Sequence, residues 1–132
     1  MAAEWPVLPD LHGIDVLVVE DEPIMRRLFR AWLEQLGASV REARDGAEGL
    51  EQARAQAPDV VLCDLSMPAF DGFAFIHGLR EDLKLQTPVI AVTGMTAEET
   101  VLRTVEAGFA SLLVKPVTIA QVAAQVARVL GR

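Results

Sequence analysis

Residues 59–64 read Asp59-Val60-Val61-Leu62-Cys63-Asp64, four apolar side chains in an unbroken row that stops on an acid. A strand with one wet face alternates apolar and polar residues. An unbroken row therefore means that both faces are covered, as in a parallel sheet held between layers of helices. The same signature opens the regular part of the chain, where Ile14-Asp15-Val16-Leu17-Val18-Val19 ends in Glu20-Asp21-Glu22. It returns at Val89-Ile90-Ala91-Val92 before Thr93, and at Ser111 to Val114 before Lys115-Pro116. Ser39 to Ala43 make a weaker strand ahead of the Asp45-Gly46 turn.

Helical patterns fill the intervals. Pro23 suits an early helical position, and Met25, Leu28, Phe29, Trp32, Leu33 and Leu36 recur at helical spacing until Gly37 stops the run. Further helices are expected over Ala47 to Ala57, from the Met67-Pro68 and Asp71-Gly72 loop to about Leu83, from about Ala97 to Ala107, and from Ile119 to Leu130. Five strands alternating with five helices demand an α/β fold, a parallel sheet with right-handed crossovers and helices on both faces. Residues 1–13, with Pro6, Pro9 and Gly13, read as an irregular leader, and 14–130 as one domain.

Composition narrows the function. Twelve Lys and Arg stand against 19 Asp and Glu, a net charge of −7, with no basic run, which argues against nucleic acid as a direct partner. No apolar stretch reaches membrane-spanning length and no secretion signal opens the chain, so a cytoplasmic location is expected. The single cysteine, Cys63, cannot form an internal disulfide.

In open parallel sheets ligands bind beyond the carboxyl ends of the strands. Here those ends carry Glu20 and Asp21, Asp64, Thr93 and Lys115, so one edge should gather three carboxylates, a hydroxyl and an ammonium. Crowded carboxylates raise one another's pKa unless a cation intervenes, and a hard, partly hydrated ion such as Mg²⁺ suits an all-oxygen site better than zinc does. An aspartate can attack phosphorus, and a metal, a lysine and a hydroxyl can meet the charge on the transferred oxygens. Taken singly, each residue has an ordinary reading: Asp21 or Thr93 as a helix cap, Lys115 as a surface lysine. Four matching strand ends favour the joint one.

The segments Val18-Val19-Glu20-Asp21-Glu22-Pro23, Asp64-Leu65-Ser66-Met67-Pro68 with Asp71-Gly72, Val92-Thr93-Gly94 and Val114-Lys115-Pro116 resemble, in order and spacing across residues 14–130, the receiver domains of two-component response regulators. The resemblance implies a flavodoxin-like sheet of strand order 2-1-3-4-5. It makes Asp64 the phosphoacceptor, with Glu20, Asp21, Asp64 and the Ser66 backbone carbonyl around Mg²⁺, Thr93 and Lys115 on the phosphoryl group, and a cis bond before Pro116. The partner it implies is a histidine kinase or histidine phosphotransfer protein. The chain would then be a phosphoacceptor that assists its own phosphorylation and dephosphorylation and not a conventional enzyme.

Two residues depart from the pattern: Glu20 stands where many receivers have aspartate, and Leu112 where they carry Tyr or Phe. Without that aromatic the usual switch is lacking. An aspartate-nucleophile phosphatase would need a second aspartate two residues after Asp64, where Ser66 stands, and a pseudo-receiver would lack a site residue. A fragment of a hybrid kinase or transcription regulator is the remaining alternative, with no output domain inside these residues. In the last helix Gln121, Gln125 and Arg128 form a narrow polar stripe among small apolar residues. With an outward Leu112, that suggests binding of a target or a second copy through the fourth helix, fifth strand and fifth helix.

Overall fold

The computed structural model describes residues 8–66, 72–94 and 98–132. The Met67-Pro68 and Asp71 part of the second motif, residues 1–7 of the leader and the expected helix start at Ala97 lie outside them. Elements follow in strict alternation: β1 (Asp15–Val19), α1 (Pro23–Gln35), β2 (Ser39–Ala43), α2 (Gly46–Ala55), β3 (Val60–Asp64), α3 (Gly72–Glu81), β4 (Val89–Thr93), α4 (Glu98–Ala107), β5 (Ser111–Val114) and α5 (Ile119–Val129). The strands form one parallel sheet in the order β2-β1-β3-β4-β5, the flavodoxin-like arrangement that the resemblance implied.

Strand alternation sorts the apolar runs into two cores. Val16, Val18, Val60, Leu62, Ile90 and Val92 face one way and pack with Phe29 and Leu33 of α1 and Val122 and Val126 of α5. Leu17, Val19, Val61, Cys63 and Val89 face the other way, against Phe75, Ile76 and Leu79 of α3 and Ala53 of α2. Each large side chain so buried contributes roughly 1.5–3 kcal/mol of transfer free energy. Both faces of β1, β3 and β4 are thus filled, which is why their sequences do not alternate.

Local chemistry sets the element ends. The Glu22 carboxylate accepts from the Met25 N–H (2.7 Å) and caps α1, with Pro23 in its first turn, so Glu22 is a helix cap. At the other end Gly37 has φ +99°, and an added Cβ there would lie 3.1 Å from the His12 backbone, so the turn closes only with glycine. Asp45 caps α2, and Thr118 with Gln121 forms a reciprocal capping box on α5. Residues 8–13 contain no helix or strand, yet Leu11 is fully buried and its N–H donates to the Leu36 carbonyl.

The surface expected at α5 is corrected. Val122, Ala123, Val126 and Ala127 are buried, so most of the apolar breadth of that helix is consumed by the sheet, and Leu112 is half-buried instead of outward. Among the described residues, exposed large apolar side chains lie on α4 at Val101, Leu102 and Val105, on β5 at Val114, and on α1 at Ile24 and Leu28.

Candidate functional site

Parallel pairing brings the carboxyl ends of β1, β3, β4 and β5 to one edge. Glu20 continues β1 by one residue, its N–H donating to the Ala43 carbonyl (3.0 Å), and its side chain is 1% exposed. Asp64 is the last residue of β3 and is also buried. Carboxylate oxygens of Glu20, Asp21 and Asp64 lie within 4.8 Å of one another.

The two oxygens of Asp64 have different partners. Oδ1 accepts from the Ser66 backbone N–H (2.8 Å) and Oδ2 from the Lys115 ammonium (3.0 Å). Lys115 follows β5, and its own N–H is tied to the Thr93 carbonyl at 2.7 Å. Its Nζ also lies 3.6 Å from Glu20 Oε1, so a single ammonium bridges acids from β1 and β3. The peptide between Lys115 and Pro116 is cis, as expected. Thr93 is fully buried at the end of β4, one step beyond Val92, the register partner of Asp64. Glu20, Asp21, Asp64, Ser66 and Lys115 are therefore brought together, and Thr93 stands on the same edge. His12 and His77 are exposed, and neither belongs to the acidic group.

The electrostatics follow from burial. Glu20 is pushed up to about 8, first by desolvation and then by Asp64 beside it; the Glu22 N–H and Lys115 act in the opposite direction. Burial pulls Lys115 down, but the hydrogen bond and charge of Asp64, with Glu20 behind them, outweigh it and hold the ammonium above its ordinary value. Among the described residues one buried oxygen, Glu20 Oε1, has no hydrogen-bond partner, the Lys115 ammonium standing 3.6 Å away. A buried acceptor left in this way is costly unless a proton or cation meets it. Three clustered carboxylates around such an oxygen fit a hard divalent ion of the Mg²⁺ type.

Gly72, at the start of α3, returns the chain to the site: a Cβ there would fall 2.7 Å from the Leu65 side chain and 3.2 Å from the Asp64 carbonyl. Any larger residue would push on the backbone that carries Asp64.

Sequence reading missed Arg26. Its Nη1 donates to the Glu20 backbone carbonyl (3.0 Å) and its Nε pairs with Glu42 of β2 (3.2 Å). The signal available was an arginine one helical turn after Glu22, too common a feature to single out.

The family model for response regulator receiver domains matches residues 16–127. Similar proteins include the sensor histidine kinase RcsC of Salmonella typhimurium, 40% identical over 104 residues that make up 79% of this chain and 11% of RcsC. The Regulator of RpoS of Escherichia coli is 33% identical over 107 residues, 81% of this chain and 32% of that protein. This chain thus spans only about a tenth to a third of these relatives. Among solved structures, Vibrio cholerae chemotaxis protein CheY4 superposes with a TM-score of 0.84 at 30% identity, over 89% of this chain and 98% of that one. Sequence, strand order and superposition agree: this chain belongs to the response regulator receiver domain family, the phosphoacceptor modules of two-component signalling.

Proposed function

We propose that Asp64 is the phosphoacceptor and that the acidic edge is its phosphoryl-transfer site. The observation that carries this reading is the Asp64 carboxylate, held between the Ser66 N–H and the Lys115 ammonium with Glu20 and Asp21 oxygens close by. An Asp64 oxygen forms the new bond to phosphorus as the phosphorus–nitrogen bond of a donor phosphohistidine breaks, and the electron pair of that bond returns to the imidazole. Lys115 pairs with the incoming phosphoryl oxygens, and the Thr93 hydroxyl takes another. Glu20, Asp21, Asp64 and the Ser66 carbonyl would hold Mg²⁺, which when bound supplies positive charge to the phosphoryl oxygens. With these groups in place the domain assists both the gain and the loss of its own phosphoryl group.

The donor is a histidine kinase or a histidine phosphotransfer protein, in the cytoplasm. Among the described residues no helix is long and apolar enough to cross a membrane. Output goes to a protein target or a second copy through the face of α4, β5 and α5, where Val101, Leu102, Val105 and Val114 are exposed. Leu112 supplies no aromatic switch, so the response to phosphorylation runs through Thr93 and the segment after it. An aspartate-nucleophile phosphatase is disfavoured by Ser66, two residues after Asp64.

Acetyl phosphate or beryllofluoride, applied with and without Mg²⁺ to the native chain and to Asp64→Asn, tests the site. A mass gain or NMR shifts are expected in the native chain with Mg²⁺ alone. Incorporation that persists in EDTA or in Asp64→Asn overturns it.

A further inference from the structure

Glu20 ends the β1 ladder. Its N–H still pairs with Ala43 of β2, but the chain then turns into α1, and the Glu20 carbonyl loses the ladder partner that a longer strand would give it. That carbonyl belongs to the peptide joining Glu20 to Asp21, so its direction sets the relative orientation of two of the three clustered acids. Arg26 fills the gap, with Nη1 donating to this oxygen at 3.0 Å.

Arg26 is itself held from both sides. Its backbone N–H donates to the Glu22 carbonyl in the first turn of α1, and its Nε is paired with Glu42, whose other oxygen accepts from Arg30 at 2.6 Å. The Arg26 side chain is only 13% exposed. Among the described residues its ion-pair partner is Glu42 of β2. A guanidinium in a rigid fork can serve a carbonyl and a carboxylate together; a lysine ammonium at that distance cannot reproduce the fork.

We infer that Arg26 is a positioning residue for the cation site: by holding the Glu20–Asp21 peptide it fixes the two acids in the arrangement that binds Mg²⁺. The inference rests on the metal reading of the acidic edge. It opposes simple electrostatics. A positive charge next to a cation site weakens cation binding, so deleting it ought to tighten Mg²⁺. If the arginine acts by position, deleting it loosens Mg²⁺ instead. Partners one step removed from a metal typically change affinity by about 10–100-fold when lost.

The test is Mg²⁺ titration, followed by amide NMR shifts and by calorimetry, on the native chain, Arg26→Met, Arg26→Lys and Glu20→Gln, with thermal midpoints measured in parallel. Arg26→Lys keeps the charge and guards against a Met variant that fails to fold. Weakening of Mg²⁺ by about tenfold or more in both Arg26 variants is expected. Unchanged or tighter Mg²⁺ in either folded variant overturns the inference, whatever happens to the thermal midpoint, because a merely structural arginine would move only the latter. Equal Mg²⁺ binding in native and Glu20→Gln chains would instead overturn the metal reading itself, a separate result.

Discussion

Helices α1 and α4 both cross over a parallel sheet, but they are fastened to it differently. α1 sinks Phe29 and Leu33 into the core, is capped by Glu22, and is tied to β2 through Arg26, Arg30 and Glu42. α4 buries only Thr104 and leaves Leu102 55% and Val105 70% exposed. Its attachment to the rest of the protein includes the Arg103 guanidinium, 3.9 Å above the Phe73 ring, and Phe109 just beyond its end, edge-on to the same ring. Phe73 follows Gly72, the residue packed on the Asp64 carbonyl. The acids at the site are thus carried by a firmly anchored corner, while α4 belongs to the class of elements with few buried contacts that open at low free energy cost.

The contrast is broken most directly in the core. Phe29→Ala is expected to cost about 3–5 kcal/mol in denaturant unfolding, as large-to-small changes at filled aromatic sites do, whereas Val105→Ala should stay within about 0.5 kcal/mol. Similar losses for the two would mean that α4 is as firmly held as α1.

The pH dependence divides the anchored corner itself. Glu20 is raised from 4.5 to about 8, so between those values the unfolded chain has lost a proton that the fold retains, and this group makes stability fall as pH rises through that window. Glu42 is shifted the other way by its hydrogen bond to Arg30, and its contribution is lost as pH falls below the ordinary carboxylate value. Metal-free protein should therefore be most stable near pH 5, with Mg²⁺ removing the decline toward pH 8. Thermal midpoints across pH 4–9 with and without Mg²⁺ check this, and a stability maximum above pH 8 without metal would refute it.

The smallest effect sharpens the comparison at α4. Arg103→Ala removes a ring contact worth about 0.5–1 kcal/mol at an exposed site. Amide exchange should quicken along α4 while α1 is unchanged. Uniform quickening in both helices would show the ring contact to be part of global stability.

How far the sequence could be read follows the same division. β1, β3 and β4 were legible because burial on both faces leaves an apolar row, and the site because each row stops on a reactive residue. What lies between elements was not. Small apolar residues in α5 gave no indication of how much of the helix the sheet would cover, so the exposed large apolar side chains of the expected face lie on α4 and β5. Arg26 looked like any surface arginine until the turn at Glu20 presented it with a free carbonyl. Leu11, in a stretch rich in turn formers, gave no periodic sign that it enters the core.

The strand order also sets a timetable for synthesis. Asp64 and its partner Lys115 are 51 residues apart, and the lysine follows β5, an edge strand and the last strand along the chain. At ribosomal rates of roughly 5–20 residues per second, Asp64 precedes its ammonium by about 3–10 seconds. The site is therefore complete only once the chain has been made as far as β5 and the lysine that follows it.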